Sequence, residues 1–341
     1  MTTIKDISRL ANVSIAAVSK VTNGDYSSVS ETTKERILKI VKELKYKPNR
    51  IAKGLVTNKT NIIGLMVSDI TNPFFASLAK GVEDRAGSYG YNVILCNTDE
   101  KSEKEITYID LLLQYNAAGV IVTSSPNPEK EHILELAENN TPFVAIDRSI
   151  STNNYSIFVD NFRGTYISTE YLIQKGHTKL AFIGGEPPGT GINQRLNGYL
   201  QALRDYTLEE NGELVCIDTY HSESGYKNAN MLLDKGFSFT GVVCGNDLIA
   251  FGVIKALKER GLRVPEDISI IGYDDIYLSS LFDPSLTTIR QPIYDMGSHA
   301  VDVLIRLIKG ENVIEKVKYF GPELVERDSV ANIINKKLQT D

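Results

Sequence analysis

The first 47 residues carry apolar positions at the three-and-four spacing of short amphipathic helices. Thr3 and Asp6 form a capping box before the first predicted helix, and Ser14 and Ser30 are N-cap candidates for a second and a third. The apolar positions predicted to face inward are Ile7, Leu10, Ala11, Ala17, Val18, Val21, Ile37, Ile40, Val41 and Leu44. Two short helices joined by a tight turn and completed by a third predict a helix-turn-helix.

From Asn61 onward the pattern changes to β-branched apolar runs that alternate with helical stretches. The runs predicted as buried strands lie at residues 62–67, 92–96, 119–123, 143–147, 180–185, 241–247 and 268–275. Such alternation is typical of doubly wound parallel sheets. Two such series predict two similar α/β lobes, whose strand ends can face one cleft.

The charge is divided unevenly along the chain. The 341 residues have a net charge of −6, yet residues 1–60 hold 12 Lys and Arg against 5 Asp and Glu, whereas the remaining 281 hold 25 against 38. With 42% hydrophobic and 23% charged residues, the composition excludes a disordered or fibrous chain. A short basic head on a long acidic body therefore predicts two functions in one chain.

The cysteines and the N-terminus indicate a cellular compartment. Cys96, Cys216 and Cys244 lie far apart, which argues against a disulfide framework or a thiolate metal site and favours a reducing cytosol. The N-terminus has charges where a signal peptide needs an apolar core, and no apolar run approaches the ~18 residues of a membrane span. We expect a cytoplasmic protein that makes no membrane contact and joins the nucleoid when bound to DNA.

The second predicted helix has a polar outer side, formed by Ala16, Ser19, Lys20 and Asn23 with Ile15 at its leading edge. Small exposed residues allow close approach to base edges, so this helix is expected to enter the major groove of double-stranded DNA. The alternative interpretation is a three-helix bundle with a solvated basic face.

Polar residues also follow several predicted strands of the body, at 147–148, 246–247 and 274–275, and the segment 71–75 follows the first strand. Carboxylates accept hydrogen bonds from hydroxyls, Arg supplies paired donors, and an aromatic face covers the C–H side of a sugar ring. The set predicts a sugar site. Each residue alone has a plainer interpretation as a helix cap or core residue, and two Arg against two Asp could equally serve a sugar acid.

The head resembles the LacI/GalR family of bacterial repressors through TIKDISRLANVSIAAVSKVTN and VSETTKERILKIVKELKYKPNRIAKGL. The resemblance implies that Ile15, Ala16 and Lys20 contact bases, with Lys20 at a position where the family more often has Arg. It also implies that Leu55, on a hinge helix, inserts into the minor groove. The implied DNA-contacting residues are Thr3, Ser14, Ile15, Ala16, Ser19, Lys20, Asn23, Asn49, Ala52 and Leu55.

The body resembles periplasmic sugar-binding proteins of the pentose and ribose type in its TNPFF, AIDR, GND, IGYDD and IRQP segments. The resemblance implies a two-lobed body with an effector site between the lobes. The implied ligand shell is Asn72, Phe74, Phe75, Asp147, Arg148, Arg195, Tyr220, Asn246, Asp274 and Gln291.

These features predict the following organisation, listed as segments: a helix-turn-helix domain at 1–47, a hinge helix and linker at 48–60, an effector-binding and dimerisation body at 61–331 (lobe one about 61–161 plus 290–320, lobe two about 162–289 plus 321–331) and a tail at 332–341. The tail lacks the heptads of the family's tetramer-forming member, so a homodimer on a palindromic operator is expected. The predicted function is a sequence-specific repressor of a sugar-utilisation operon, controlled by a sugar or sugar-acid effector.

Two alternatives remain within the binding proteins. A global catabolite regulator with a phosphorylated protein corepressor is disfavoured because Asp302 stands near the position of an Arg in that pattern. A sugar-binding transport receptor would not need the basic head.

Enzyme readings find little support. The segment 184–191 resembles a phosphate loop but lacks the closing Gly-Lys-Ser/Thr, and the chain has neither an HExxH zinc motif nor a GxSxG nucleophile elbow. The alternative of a sugar kinase or isomerase is disfavoured because the sequence has no set of residues typical of a phosphate or metal site. No catalytic residue, metal ligand or cofactor is predicted.

Overall fold

The computed structural model describes residues 2–22, 24–46, 60–123, 131–147, 150, 154–185 and 193–334. By internal contacts the chain divides into two compact units, residues 1–60 and residues 61–341.

The first unit contains three helices, α1 (Ile4–Ala11), α2 (Ile15–Thr22) and α3 (Glu31–Glu43). The predicted capping box is present, since the Thr3 side chain accepts from Asp6 N and the Asp6 carboxylate accepts from Thr3 N at 2.9 Å. Asn12 ends α1 with a φ of 49°, in the left-handed region, and so turns the chain toward α2. The helix-turn-helix prediction is confirmed.

The core of this unit is small. It is formed by the buried side chains of Ile7, Ala11, Val18, Val21 and Ile37. Leu10 is 57% exposed and Leu44 37% exposed, so the prediction that both face inward is wrong. Ile4, Ile7 and Ala11 share one side of α1, and Leu10 lies about 90° from the centre of that side at 3.6 residues per turn.

The second unit contains two six-stranded sheets. Its strands within the described residues are β1 (Ile62–Val67), β2 (Asn92–Asn97), β3 (Gly119–Val122), β4 (Phe143–Ile146), β5 (Tyr155–Val159), β6 (Leu180–Gly185), β7 (Val215–Asp218), β8 (Gly241–Cys244), β9 (Ser269–Asp274), β10 (Thr288–Arg290), β11 (Val317–Phe320) and β12 (Glu323–Val325). Its α-helices there are α4 (Pro73–Ser88), α5 (Ser102–Gln114), α6 (Glu131–Glu138), α7 (Asn161–Gln174), α8 (Gln194–Asp205), α9 (Ser222–Asp234), α10 (Asp247–Glu259) and α11 (Ile293–Ile308).

The first sheet has the strand order β11-β5-β4-β3-β1-β2, with every pair parallel. Leu65 of β1 lies opposite Leu95 of β2 and Ile121 of β3. Leu65 and Ile121 are fully buried, whereas Leu95 is 42% exposed because β2 is an edge strand. We call this sheet with α4, α5, α6 and α11 lobe one.

The second sheet has the order β12-β10-β9-β8-β6-β7, parallel except that β12 runs antiparallel to β10. We call this sheet with α7, α8, α9 and α10 lobe two. In both lobes apolar helix faces cover the two sides of the sheet. The doubly wound prediction is confirmed.

The chain passes between the lobes three times, after Val159, after Arg290 and after Phe320. All seven predicted strands are present, and the sheets contain five more, namely β5, β7, β10, β11 and β12. Four of these lack a continuous buried apolar run, since they are short or lie at a sheet edge.

Candidate DNA-binding surface and ligand cleft

The candidate DNA surface is the outer side of α2. Ile15 is 45% exposed, Ala16 and Lys20 are exposed, and Ser19 is half-buried, while Val18 faces the core. The exposed side of α2 therefore carries two apolar side chains, Ile15 and Ala16, and the cation of Lys20. Such a face can offer methyl contacts to thymine and an ammonium to guanine acceptors.

The hydroxyls of Thr3 and Ser14 accept hydrogen bonds from backbone amides at the starts of α1 and α2. Thr3 caps α1, and Ser14 Oγ accepts from Ala17 N at 3.2 Å at the start of α2. Both side chains are exposed, so each positions a helix end while still facing solvent. A helix N-terminus of this kind can contact a phosphate through its free amides.

Lys20 already has a partner within the head. Its Nζ donates to Ser28 Oγ at 2.6 Å, which ties the end of α2 to the loop before α3. Both groups are exposed, so the contact exchanges readily with water and leaves Lys20 able to turn toward a base. Ser28 is a contact that the sequence analysis missed, because the loop residues carry no helical periodicity.

Five of the predicted contact residues fall outside the described residues. They are Asn23, Asn49, Ala52 and Leu55 of the predicted DNA surface and Arg148 of the predicted ligand shell.

A cavity of about 690 Å³ lies between the two lobes, at the carboxyl ends of strands from both sheets. It has the size of a small-molecule site. The predicted ligand residues that line it are Asn72, Phe74, Phe75, Asp147, Arg195, Tyr220, Asn246, Asp274 and Gln291. The structure thus brings together side chains that are up to 219 positions apart in the sequence.

The loop after β1 supplies the aromatic wall of lobe one. Asn72 Oδ1 accepts from Phe74 N at 3.0 Å and so caps α4. The rings of Phe74 and Phe75 meet edge to face, with centroids 5.1 Å apart. Phe74 packs against the apolar clusters of both lobes, whereas Phe75 packs against that of lobe one.

Tyr220 forms an aromatic wall on lobe two, and its surroundings fix its position. Asn246 is 2% exposed and uses both ends of its amide, since Oδ1 accepts from Ile249 N at 2.8 Å and Nδ2 donates to Tyr220 O at 2.9 Å. A Cβ at Gly185 would lie 2.4 Å from the Tyr220 ring. Glycine at the end of β6 therefore makes room for the ring.

Asp274 lies at the end of β9 in an unusual backbone conformation, with a φ of 112°, followed by Asp275 at 57°. Gln291 Nε2 donates to Asp274 Oδ1 at 2.6 Å. Asp275 is held by Arg290 Nε at 2.7 Å and Arg327 Nη2 at 2.6 Å. The paired arginines stabilise the turn that points Asp274 into the cleft.

Arg195 lies beside Asp274 on the lobe-two side of the cavity. Its guanidinium covers the ring of Tyr273 at 4.3 Å and that of Tyr220 at 5.3 Å. Its Nη2 is 4.0 Å from Asp274 Oδ1, which is beyond hydrogen-bonding distance, while its Nε donates to Asn161 Oδ1 at 3.1 Å. A ligand hydroxyl can bridge the gap between the guanidinium and the carboxylate.

Burial dominates the acidity of the cleft. Desolvation raises the pKa of Asp274 to about 8, although the nearby Arg195 works in the opposite direction. Desolvation likewise raises the pKa of Asp147, against the opposing effects of Arg195 and Asn161. These carboxyl groups have few protein donors, so they are ready to accept hydrogen bonds from ligand hydroxyls.

Asp247, next to Asn246 in sequence, has a different role from the cleft carboxyls. Its oxygens accept from Ile276 N at 2.9 Å, Ser279 Oγ at 2.7 Å and Thr288 Oγ1 at 2.5 Å. Burial raises its pKa to about 7 despite these donors. Asp247 is fully buried and stabilises the segment after β9 from behind the cleft.

Several cleft residues were not predicted from the sequence. They include Asp69, Glu100, Asp160, Asn161, Asn193, Asp218 and His221. Asp160, Asn161 and Asp218 stand at the ends of β5 and β7, two strands that the sequence analysis did not predict. The signal that could have found them is their place at a strand end before a helix. Among the described residues, no group of three His, Cys, Asp or Glu is arranged to hold a metal ion.

Comparisons with known proteins agree with this architecture. Residues 3–49 match the family described as bacterial regulatory proteins, lacI family, and residues 169–330 match a periplasmic binding protein-like domain. The chain is 40% identical over 331 residues to the HTH-type transcriptional regulator RegA of Clostridium saccharobutylicum, covering 96% of this chain and 99% of the relative. It is 37% identical over 330 residues to the ribose operon repressor of Halalkalibacterium halodurans, covering 96% and 97%.

A crystal structure of the lac repressor dimer bound to operator and the anti-inducer ONPF matches the fold with a TM-score of 0.85 and 28% identity, over 97% of this chain and 99% of that one. None of the helices in the described part of the chain has the length and apolar character to cross a membrane. Family match, end-to-end similarity to relatives and common fold coincide, and the chain therefore belongs to the LacI family of bacterial regulatory proteins.

Proposed function

We propose that this protein is a sequence-specific transcriptional repressor of a sugar-utilisation operon, whose affinity for its operator is controlled by a small effector bound between lobes one and two. One observation carries the proposal: a single chain joins a helix-turn-helix with an open α2 face to a 690 Å³ cleft at the strand ends of two sheets. The relatives are named as transcriptional regulators and repressors rather than enzymes.

The effector is a neutral polyhydroxylated compound. The described residues that line the cleft include six carboxylates against the single guanidinium of Arg195. They are Asp69, Glu100, Asp147, Asp160, Asp218 and Asp274. Even with Asp274 protonated near neutral pH, an anionic sugar acid or sugar phosphate would meet the excess of negative charge from the other carboxylates, whereas a neutral sugar would find acceptors for its hydroxyls and aromatic walls for its C–H faces. A relative named a ribose operon repressor makes D-ribose the first compound to test.

The active assembly is a homodimer on a palindromic operator. Around a groove of about 540 Å³ on lobe two, Leu281 is 73% exposed and the Phe282 ring stacks on Phe251 at 4.3 Å. Tyr277 in the same segment is 66% exposed. Exposed apolar groups of this size favour a protein partner, and a second copy of the chain meets the requirement of two half-sites.

The DNA contacts come from residues 1–47 and the hinge from residues 48–60, where Leu55 enters the minor groove. The two lobes, about 61–161 plus 290–320 and about 162–289 plus 321–331, bind the effector and form the dimer. The protein acts in the cytoplasm and is associated with the nucleoid while bound to DNA. No cofactor takes part.

A global catabolite regulator with a phosphorylated protein corepressor is the less favoured function. Such a partner needs a free cation on the receiving surface. At the relevant place Asp302 Oδ1 accepts from Arg85 Nε at 2.6 Å and from Tyr89 Oη at 2.9 Å. The Arg85 guanidinium is thus paired with a carboxylate of its own chain.

The test measures DNA binding of the intact chain and of residues 61–341 to a palindromic duplex selected by the intact chain from a random pool. The intact chain should retard this duplex and residues 61–341 alone should not. A thermal-shift screen of neutral sugars, sugar acids and sugar phosphates identifies the effector, because a bound ligand stabilises the folded state by mass action. Retardation by the body alone, or stabilisation by sugar phosphates but not neutral sugars, would contradict the proposal.

A further inference from the structure

Asn161 occupies the first passage of the chain between the lobes, where β5 of lobe one ends and α7 of lobe two begins. Its side chain lies in the wall of the cleft and contacts a charged group from each lobe. Its Oδ1 accepts from Arg195 Nε of lobe two at 3.1 Å, and its Nδ2 donates to Asp147 Oδ1 of lobe one at 3.4 Å.

The chemistry of the two partners fixes the orientation of the Asn161 amide. Arg195 Nε can only donate, and an ionised Asp147 carboxylate can only accept. The reverse orientation would place an NH₂ group against the guanidinium and a carbonyl oxygen against the carboxylate. One orientation therefore satisfies both partners and the other satisfies neither.

The bond to Asn161 restricts Arg195 from one edge while aromatic rings restrict it from its faces. Tyr273 lies 4.3 Å from the guanidinium carbon, and the Nη2 atom on the far edge lies toward Asp274 at 4.0 Å. A long arginine side chain without such contacts has several rotamers of similar energy. Holding Nε thus aims the Nη groups at the space between Arg195 and Asp274.

The same side chain also acts on Asp147. The amide donor favours the ionised carboxylate, in opposition to the desolvation that raises the pKa of this group. The Asp147 backbone has a φ of 53° and its N–H donates to Ile157 O at 2.8 Å, so the residue is held at both backbone and side chain.

We propose that Asn161 is a positioning residue of the effector site, which holds Arg195 of lobe two and Asp147 of lobe one in the orientation that the ligand meets. It connects the two lobes through one amide at the passage of the chain between β5 and α7. The inference rests on the proposed function, since the cleft is the proposed effector site, and it adds a residue whose amide contacts Arg195 and Asp147.

Helix capping does not account for this side chain. The cap of α7 is Asp160, whose Oδ1 accepts from Arg163 N at 2.9 Å. Substituting Asn161 therefore leaves the helix start intact. The effect of a substitution at Asn161 reports on Arg195 and Asp147 rather than on the folding of α7.

The experiment uses the full-length protein with two variants of Asn161 and one matched control. Asn161→Leu removes both contacts and keeps the number and branching of the side-chain heavy atoms, and Asn161→Asp keeps the acceptor for Arg195 but loses the donor to Asp147. The matched control is Asn230→Leu, because Asn230 Oδ1 accepts from Arg260 Nε at 2.6 Å on a lobe-two surface away from the cleft.

The first readout needs no ligand. Proton exchange of the arginine Nε–H groups is measured by NMR on protein labelled with ¹⁵N-arginine, with Arg195 assigned from the lost signal of Arg195→Lys. We expect about tenfold faster exchange at Arg195 in Asn161→Leu, because a hydrogen-bonded proton exchanges only after the bond opens. Asn161→Asp should retain the wild-type rate, and Asn230→Leu should accelerate Arg260 alone.

The second readout is calorimetric titration with D-ribose. Asn161→Leu and Asn161→Asp should each bind at least about tenfold more weakly than wild type, the second because the new carboxylate then faces that of Asp147. Asn230→Leu should bind as wild type does. A wild-type exchange rate at Arg195 in Asn161→Leu overturns the proposal. Wild-type sugar affinity in Asn161→Asp also overturns it. If the leucine variant does not fold, the sugar affinity of Asn161→Asp decides the question. If wild type itself binds no D-ribose, the choice of sugar in the proposed function fails, while the exchange rates still decide the role of Asn161.

Discussion

The α2 surface and the cleft solve the problem of recognition in opposite ways. The α2 residues are neighbours in sequence, exposed, and weakly held, with Lys20 bound to Ser28 in contact with water. The cleft residues come from loops far apart in sequence, and each is fixed by buried partners, as Asp274 is by Gln291. The same charge interacts far more strongly in the buried cleft than on α2, so electrostatic interactions contribute more to recognition in the cleft.

This contrast has a functional reason. A DNA duplex supplies its own rigid surface and its own charge, so the head needs only a helix with the correct outer residues. A small polyol supplies little binding surface. The folded protein must therefore hold each donor and acceptor in its binding orientation before the ligand arrives, so that little conformational entropy is lost on binding.

Asp274→Ala should abolish the effector response altogether. The substitution removes an acceptor that lobe two presents to the ligand beside Arg195, and with it the gain in ligand affinity when the two lobes close on the ligand. Folding without ligand, dimerisation and basal operator affinity should stay close to wild type. The measurement is a pair of operator titrations, with and without the best sugar from the screen. Asp267→Ala, on the surface of lobe two, is the matched control, and a response of the mutant at the wild-type sugar concentration would remove the cleft from consideration.

Lys20→Ala should reduce sequence discrimination by roughly 1 to 3 kcal/mol if its ammonium reads a guanine. Lys5→Ala, which removes an exposed lysine from α1, should instead weaken operator and random DNA alike. Fluorescence anisotropy on the selected operator and on a random duplex at several salt concentrations separates the two effects. Equal losses on both duplexes for Lys20→Ala would assign Lys20 to the phosphate backbone.

Phe74→Leu should weaken sugar binding by about 0.5 to 1.5 kcal/mol, and Phe75→Leu by less. Phe74 packs against the apolar clusters of both lobes, whereas its neighbour packs against lobe one, so the first loses a contact that depends on closure. The two leucine variants are each other's control in the same calorimetric titration. Equal affinities would show that contact with both lobes does not matter for the ligand.

The pH dependence of stability should reveal the buried carboxyls. The folded pKa of Asp274 is raised to about 8, above its ordinary value of 3.8, so the folded protein binds the proton more tightly than the unfolded chain. The associated stability is present below about pH 4 and is lost as the pH rises toward 8. Ligand-free Asp274→Asn should therefore lose less stability than wild type between pH 5 and pH 8, by at least about 2 °C in Tm. Parallel Tm curves for the two proteins would show that Asp274 does not titrate in this range.

The sequence predicts the central strands well because a strand buried on both faces must be apolar at every position. It fails at the edges, where β7 and β11 alternate or are exposed, and at Leu10 of α1, whose position lies beside the core rather than in it. Asn161 shows the same limit for the site. Its place at a strand end before a helix marks Asn161 as a cleft candidate, but nothing in its local pattern indicates which two groups its amide contacts.

By itself the sequence determined the two-part organisation, the helix-turn-helix and the doubly wound body, since periodicity, capping residues and charge are local properties of the chain. Only the tertiary structure decided which side chains meet. Asp147, Asn161 and Arg195 become neighbours because two sheets present their strand ends to one cleft and the chain passes from one lobe to the other between β5 and α7. Such contacts depend on distances in space, and no spacing along the chain encodes them.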